Sequence, residues 1–263
     1  MPELPDVQVF REYMNATSLH RKVKDVRVSR AGDILDGVSR SRLVRELTGS
    51  RLEETRRHGK FLFARVSSGG WLVLHFGMTG WLDFGKGDDL PEHWRLVLEF
   101  PKGYRLAYDC QRLLGRVSFT EAPEAFIEDH ELGPDALSDE LDRDAFEERV
   151  LERKAMAKST LMNQSVIAGI GNVYSDEILF HARVHPKRVL RELSRDERTK
   201  LYRETGRVLR KAIECRADPG RMPDSWITPC RGTEGKCPAC GGELETIKVS
   251  SRTAYYCSKR QRK

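Results

Sequence analysis

The first residues of the chain place side by side two groups that could form and break covalent bonds. A small second residue normally allows the initiator methionine to be removed, so we expect Pro2 to carry the free α-amino group. Such an amine titrates at about 7.7–8.0, so an appreciable fraction is unprotonated near neutral pH and can attack an electrophilic carbon. Glu3, the next residue, could donate and accept the protons that such a reaction moves. The stretch Met1–Asp6 therefore predicts a nucleophile with an acid-base group beside it.

Two cysteines separated by two residues form a candidate metal site near the other end of the chain. Cys237 and Cys240 can deliver two thiolates from one turn to one tetrahedral ion. Six cysteines in 263 residues do not suggest a disulfide scaffold. The close pair therefore points to a bound metal ion.

A third stretch that could bind a ligand runs from residue 163 to residue 177 and contains Gly169-Ile170-Gly171 ahead of an amphipathic run. A glycine turn before a helix leaves backbone N–H groups at the helix start, where a phosphate can bind. Tight packing between helices is the more common meaning of a single Gly-X-Gly pattern. The residues alone do not distinguish phosphate binding from helix packing.

The elements that must position these groups change in type along the chain. Alternating segments such as Phe61–Val66 and Tyr104–Asp109, separated by glycine-containing breaks, predict an antiparallel β-sandwich. A later run, Arg198–Ile213, has apolar residues at helical spacing and arginines mostly on the other face. We therefore predict an α+β multidomain protein. Its parts are a β-sandwich domain (1–130), an acidic linker (131–150), a helical domain (151–225) and a C-terminal hairpin (226–263).

Composition favours a polyanionic partner. The net charge is +6 and the sequence pI is about 9.0, with the basic residues concentrated in 183–211 and in the last sixteen residues. No apolar run reaches transmembrane length, and the N-terminus lacks the layout of a signal peptide. We expect a cytosolic protein, associated with the nucleoid if the source is prokaryotic.

The opening Pro2-Glu3-Leu4-Pro5-Asp6 resembles the start of the formamidopyrimidine-DNA glycosylase and endonuclease VIII family. Asp6 stands where the family usually has glutamate, which shortens a proton-relay side chain by one methylene. Residues 163–177 closely resemble the helix-two-turn-helix signature of the same family. The resemblance implies that Asn172 and Lys158 bind phosphates of DNA.

Two further segments match the family's active-site loops. Arg56–Leu62 resembles a β-turn whose lysine, here Lys60, reaches into the active site. Leu74–Gly80 resembles a loop whose methionine, here Met78, enters the base stack when a damaged base leaves it. Without the resemblance, Lys60 would be an ordinary exposed lysine and Met78 an ordinary core residue.

The segment Gln111–Leu114 matches the family loop that faces the base left unpaired, with Arg112 as its arginine. The usual Pro-Arg-Arg-Phe is absent, so Leu114 replaces an aromatic wedge. Leucine can fill a gap in the base stack but cannot stack on a base. Recognition of the opposite base is therefore expected to differ from that of the family.

The tail resembles the zinc ribbon that closes this family, with Cys237, Cys240 and Cys257 as ligands. The usual fourth cysteine is Arg260 here. Three explanations remain: three thiolates and a water hold zinc, Cys230 supplies the fourth ligand, or the ribbon folds without metal.

The hairpin-like segment Lys248–Tyr256 resembles the family's finger that enters the minor groove of DNA. The resemblance implies that Arg252 binds a phosphate next to the lesion.

These matches span the chain in the family's order and imply a bifunctional glycosylase and abasic-site lyase that acts on oxidised bases in duplex DNA. Formamidopyrimidine and 8-oxoguanine are the first substrate hypothesis and oxidised pyrimidines the alternative. The stretch 216–236 is short for a loop that covers an extruded purine. The competing class is a non-catalytic module that binds damaged DNA. The resemblance also implies a monomer with no membrane partner.

Overall fold

A computed structural model describes residues 1–31, 34–232 and 235–263. The chain divides into two compact units. The first comprises residues 1–2 and 6–130, and the second comprises residues 3–5 and 131–263. Within the described ranges, none of the helices is both long and apolar enough to cross a bilayer.

The first unit contains two four-stranded antiparallel sheets, with strand orders β1-β6-β7-β5 and β2-β3-β4-β8. Their strands are β1 (Asp25–Val28), β2 (Leu52–His58), β3 (Phe61–Val66), β4 (Trp71–His75), β5 (Gly80–Lys86), β6 (Trp94–Glu99), β7 (Tyr104–Cys110) and β8 (Arg116–Thr120). Alternate residues of both sheets, such as Leu62 and Leu98, bury their side chains in one core. The predicted antiparallel β-sandwich is confirmed.

Three helices accompany the sheets: α1 (Leu4–Ser18), α2 (Arg40–Leu47) and α3 (Pro123–Asp129). Helix α1 packs Val7 and Met14 into the sandwich core. Its first two residues, Leu4 and Pro5, belong to the second unit together with Glu3, which precedes the helix. The boundary between the units therefore runs through the first turn of α1.

The second unit is mainly helical and ends in a β-hairpin. Its helices are α4 (Arg143–Phe146), which continues as a π-helical turn (Glu147–Leu151), α5 (Ala157–Leu161), α6 (Asn172–Ala182) and α7 (Arg195–Glu214). The hairpin strands are β9 (Glu245–Val249) and β10 (Arg252–Tyr256). Ser194 and Glu197 form a capping box that fixes the start of α7. The predicted helical region and the C-terminal hairpin are both present.

The acidic stretch 131–150 differs from the linker that its composition predicts. It contributes Ala136, Leu141, Phe146 and Val150 to the hydrophobic core of the second unit. Asp142 caps α4 by accepting a hydrogen bond from the Ala145 N–H (2.9 Å). Most of the acids are exposed, apart from buried Asp135 and half-buried Glu147, and the apolar residues between them are buried. This stretch is therefore part of the helical unit. The other domain boundaries remain predictions.

Candidate functional site

The carboxylate of Glu3 is bound by the first turn of α6. Three backbone N–H groups donate to its two oxygens, those of Gly171 (2.7 Å), Val173 (2.8 Å) and Tyr174 (3.2 Å). Glu3 is only 1% exposed, so these donors replace the water that a carboxylate would otherwise bind. The same donors lack partners within their own helix, and the positive end of the helix dipole favours an anion there. Each group therefore satisfies the other.

The Gly169-Ile170-Gly171 turn is shaped by the close approach of Glu3 and Leu4. The Leu4 N–H donates to the Gly169 carbonyl oxygen (3.0 Å). A Cβ on Gly169 would lie 2.6 Å from Leu4 Cδ1, and one on Gly171 would lie 2.4 Å from Glu3 Cδ. Gly169 also has a φ of +113°, which disfavours any side chain. The hypothesis that this helix start is open to a phosphate is wrong, because the Glu3 carboxylate already occupies its N–H groups.

Pro2 is covalently next to this fixed carboxylate. Consecutive Cα atoms are about 3.8 Å apart, so the amine of Pro2 stays close to Glu3 once Met1 is removed. Pro2 is half-buried, whereas Met1 is 46% exposed. Asp6 lies in the first turn of α1, where a carboxylate interacts favourably with the helix dipole. The sequence-predicted roles of Pro2 and Asp6 in catalysis remain predictions.

Lys158 does not lie where a phosphate could reach it. Its side chain is fully buried, and its ammonium group donates to Asp176 Oδ1 (2.6 Å), Ser175 Oγ (3.0 Å) and the Asn172 carbonyl oxygen (3.0 Å). An ammonium group has three N–H donors, and all three are used. The predicted phosphate contact of Lys158 is therefore wrong, and the lysine instead braces the first turn of α6.

Asp176 and Glu177 are buried acids that the sequence analysis did not single out. The second oxygen of Asp176 accepts from Arg231 Nη1 (2.6 Å) and from the backbone N–H of Tyr255 in β10 (3.0 Å). Glu177 accepts from the backbone N–H (2.8 Å) and the hydroxyl (2.6 Å) of Thr228. Helix α6 thus holds both the hairpin and the segment that leads to it. Two consecutive acids directly before the apolar run Ile178–Phe180 were the available signal.

Asn172 and Arg252 each begin an element of the second unit. Asn172 is the first residue of α6 and is half-buried, and within the described chain its Oδ1 atom is buried without a hydrogen-bond partner. Arg252 is exposed at the start of β10. It follows a two-residue turn, Ser250–Ser251, in which both residues have left-handed φ angles of +46° and +64°. Phosphate binding by Asn172 and Arg252 remains a prediction.

In the first unit, Lys60 lies in a two-residue turn between β2 and β3, as the resemblance implies. Gly59 supplies the positive φ (+54°) that such a turn requires, and Lys60 is 8% exposed. His75, at the end of β4, has its ring centroid 4.9 Å from that of Phe61, the first residue of β3. Burial is the main cause, and the charges of Lys60 and Arg116 add to it, so that the pKa of His75 is lowered to about 4. His75 is therefore neutral near pH 7, and sequence reasoning missed it.

The structure brings the Met78 loop and the Arg112–Leu114 loop together. The Arg112 N–H donates to Thr79 Oγ1 (3.1 Å). A Cβ on Gly77, which has a φ of +56°, would lie 2.4 Å from the carbonyl carbon of Leu114, so the two loops touch through their backbones. Arg112 is exposed, Leu114 is 46% exposed and Met78 is half-buried. The three residues form one surface, as the resemblance implies.

The three cysteines of the tail converge. The Sγ atoms of Cys237, Cys240 and Cys257 all lie within 4.8 Å of one another, and those of Cys240 and Cys257 are 3.6 Å apart. Thiolates around a tetrahedral zinc ion, with Zn–S of about 2.3 Å, are about 3.8 Å apart, so this group fits zinc. Arg260 is not a fourth ligand, since its guanidinium carbon lies 5.2 Å from the centroid of the Phe180 ring.

Cys230 does not complete this group. Its Sγ atom lies 3.8 Å from the Trp226 carbonyl oxygen. Among the described residues, the cluster of candidate metal ligands contains only the three tail cysteines. The hypothesis of Cys230 as fourth ligand is therefore not supported.

Comparison with known proteins assigns both units. Residues 1–117 match the model of the formamidopyrimidine-DNA glycosylase N-terminal domain, and residues 132–222 match that of the formamidopyrimidine-DNA glycosylase H2TH domain. The first match covers the β-sandwich, and the second covers the helices of the second unit. The class of protein is thus the one that the opening motif and the helix-two-turn-helix signature imply.

The chain belongs to the formamidopyrimidine-DNA glycosylase family. It is 31% identical to a formamidopyrimidine-DNA glycosylase of Pelotomaculum thermopropionicum, with 98% of each chain covered, and 32% identical to one of Cereibacter sphaeroides, with 100% of each covered. A structure of the Lactococcus lactis enzyme bound non-covalently to DNA with an abasic site has a TM-score of 0.90 at 26% identity, covering 99% of this chain and 100% of that chain. A MutM protein bound to DNA containing carbocyclic 8-oxoguanine has a TM-score of 0.87 at 25% identity, with both chains fully covered.

Substitution of Gly171 by alanine should destabilise the protein by displacing the Glu3 carboxylate. We expect Gly171→Ala to lower the free energy of unfolding by about 1–3 kcal/mol, because the new methyl group overlaps the carboxylate. In a Glu3→Ala background the same substitution should cost far less, since nothing remains for the methyl group to displace. Urea denaturation of the two single variants and the double variant measures this coupling. Additive costs would contradict the contact.

The neutral state of His75 should make stability depend on pH. Its pKa is about 4 in the folded protein against an ordinary value of 6.5, so its contribution to stability is complete above about pH 6.5 and is lost as the pH falls towards 4. Between pH 7 and pH 4.5 this amounts to about 2 kcal/mol. Urea denaturation at both pH values should show a smaller loss for His75→Gln than for the wild type. Equal losses would show that His75 titrates normally in the folded protein.

Proposed function

We propose that this protein is a bifunctional DNA glycosylase and abasic-site lyase that acts on oxidised bases in duplex DNA. The observation that carries the proposal is the buried carboxylate of Glu3, fixed by three backbone N–H groups directly beside Pro2. A binding protein has no need for a carboxylate held in one orientation next to its N-terminal amine. Membership of the family supports the same activity, since the relatives above are named as formamidopyrimidine-DNA glycosylases.

The chemistry follows from these two groups. After removal of Met1, the Pro2 amine attacks the sugar C1′, a new N–C bond forms, and the glycosidic bond breaks as the base leaves with a proton. Opening of the sugar ring gives a Schiff base, which makes the C2′ proton acidic. Loss of that proton expels the 3′ phosphate, which is β-elimination. Loss of the C4′ proton then expels the 5′ phosphate, which is δ-elimination, so the strand is cut on both sides of the sugar. Glu3 supplies and accepts the protons, while its three N–H donors keep it in place.

A base inside a stacked duplex has to be extruded before Pro2 can reach its sugar. Met78, Arg112 and Leu114 lie on one surface and are the groups that we propose to occupy the vacated space. Their exposure fits this role, because a core methionine or leucine would be buried.

Phosphate contacts supply most of the affinity in such complexes. We assign them to Lys60, Asn172 and Arg252. Lys158 is excluded because its ammonium group is buried and saturated. Binding should therefore weaken steeply as the salt concentration rises.

Formamidopyrimidine and 8-oxoguanine are the proposed bases, with oxidised pyrimidines as the alternative. Within the stretch 216–236, residues 233–234 lie outside the described chain. The described part includes Trp226 and Ile227, both buried, and Thr228, which is bound to Glu177. This anchoring leaves little chain to form a cover over an extruded purine, which favours a broad choice of base.

We further propose that Cys237, Cys240 and Cys257 hold one structural zinc ion, with water as the fourth ligand. The ion would fix the hairpin that presents Arg252. The spacing of the sulfur atoms and the buried positions of Cys237 and Cys257 support this assignment.

Borohydride trapping tests the proposed reaction. Incubation with borohydride should join the wild-type protein covalently to a duplex with 8-oxoguanine opposite cytosine and to a duplex with an abasic site, because borohydride reduces the Schiff base. Pro2→Gly should form much less of either adduct. Trapping on the abasic duplex alone would support the lyase activity and favour oxidised pyrimidines as the bases that the protein excises. No trapping on either duplex, with removal of Met1 verified by mass spectrometry, would leave only a non-catalytic module that binds damaged DNA.

The metal content of protein purified without chelator tests the zinc proposal. We expect about one zinc ion per chain. Arg260→Cys should hold zinc longer against a chelator, because it restores a fourth thiolate. A metal-to-protein ratio near zero in both proteins would reject the site.

A further inference from the structure

An exposed tryptophan lies beside the surface formed by Met78, Arg112 and Leu114. In the described part of the chain, the large hydrophobic side chains that are exposed are those of Met1 (46%), Trp81 (43%) and Leu114 (46%). Met1 is expected to be removed. Among the described residues, Trp81 and Leu114 are therefore the two large apolar side chains that remain exposed, and both belong to the first unit. Exposed apolar side chains that occur together mark binding surfaces more often than chance placement does.

Strand pairing places Trp81 next to both loops. It is the second residue of β5, directly after the Met78 loop. Its neighbour Gly80 pairs with Cys110, and Trp81 itself pairs with Asp109 in β7. Strand β7 ends at Cys110, from which the chain leads straight into the Arg112–Leu114 loop.

The orientation of Trp81 leaves its ring free of the sandwich core. The next residue, Leu82, points the opposite way and is 5% exposed in that core. Strand β5 is at the edge of its sheet, so the backbone on its outer side carries no neighbouring strand of that sheet. The indole ring is thus presented at a sheet edge, at the same end as the two loops.

The surface around Trp81 has the composition of a site that binds single bases. Arg112 lies in the neighbouring Arg112–Leu114 loop, and Arg116 begins the strand that follows it. Both side chains are exposed, and such cations attract the phosphate backbone of DNA. Aromatic side chains bind bases by stacking, whichever base is present. Leu114 cannot stack, and it stands where the family pattern has an aromatic residue. None of Met78, Arg112 and Leu114 is aromatic, so these three residues offer no stacking group, and Trp81 is the aromatic residue next to their loops.

We propose that Trp81 stacks on the base opposite the extruded nucleotide and so replaces the missing aromatic wedge. This inference rests on the proposed function, because it requires a duplex from which a nucleotide has been extruded. Arg112 would contact the edge of the same base, and Trp81 its face. The opposite base would then be held largely by stacking, which tolerates any base.

A cycle that combines a protein variant with a DNA change tests the contact. One duplex carries a tetrahydrofuran abasic-site analogue opposite cytosine, and a second carries the analogue at both positions. Dissociation constants are measured by fluorescence anisotropy at one salt concentration. Trp81→Ala should weaken binding to the first duplex about tenfold, and Trp81→Phe should restore most of it. On the second duplex, Trp81→Ala and the wild type should bind alike, because there is no base to stack on.

Lys86→Ala provides the matched control, since Lys86 is an exposed residue at the far end of the same strand. It should change binding to both duplexes by the same factor. Thermal unfolding of Trp81→Ala should match that of the wild type, because the ring is outside the core. Indole emission of the wild type should be quenched by the first duplex, and this change should be absent in Trp81→Phe.

Unchanged binding by Trp81→Ala, or an equal loss on both duplexes, would overturn the proposal. Failure of the proposed enzyme function is detected separately, by the absence of borohydride adducts in the wild type. If the protein formed adducts but Trp81→Ala had the same effect on both duplexes, the enzyme assignment would stand and this inference would be wrong. Coupling at Trp81 without adducts would support the inference in a protein that only binds DNA.

Discussion

The mutual satisfaction of the Glu3 carboxylate and the N-terminus of α6 is the interaction on which the rest of the site depends. Three backbone N–H groups at a buried helix start need an acceptor, and a buried carboxylate needs donors. Placing them together explains why residues 169 and 171 are glycines. It also explains why Leu4 lies in the core of the second unit. Since Pro2 is one peptide bond away, the same contact fixes the position of the amine that we propose as the nucleophile.

Helix α6 organises the second unit beyond this contact. Its Asp176 and Glu177 are fully buried, and each accepts hydrogen bonds from a different part of the chain. Removing one partner from such a buried ionic network leaves an uncompensated charge, which is strongly destabilising. The hairpin that presents Arg252 and the segment around Thr228 are therefore held to the helix whose first turn binds Glu3. The groups that we propose for catalysis and DNA binding in this unit are thus attached to one helix.

Much of the fold followed from the sequence, because apolar alternation and glycine breaks are local signals. Strand β3 begins and ends as predicted, and Lys60 lies in the predicted turn. Strand β5 was missed, because its two glycines and charged residues weaken the alternation, and its pairing with β7 is a tertiary effect. The stretch 131–150 was misjudged because its acids outnumber the few apolar residues that anchor it in the core.

The sequence identified most residues of the candidate site but predicted few of their contacts. A motif match gives the position of Lys158 but not its burial, which depends on Asp176, 18 residues further along the chain in another helix. The glycines of residues 169 and 171 were visible, yet the segment that packs against them comes from the other end of the sequence. His75 and Trp81 carried no local signal, because a neutral buried histidine and an exposed tryptophan are defined by their surroundings. Long-range contacts of this kind are what the sequence could not supply.

The central claim is that the α6 N-terminus holds Glu3 in the orientation needed to transfer protons during base release. The most direct measurement is the single-turnover rate of base release by Gly171→Ala, beside its borohydride trapping on DNA that already contains an abasic site. The account predicts a rate of base release lower by about a hundredfold, because a displaced acid-base group loses most of its effect. Trapping should persist, since Pro2 is unchanged. Base release at the wild-type rate would contradict the account.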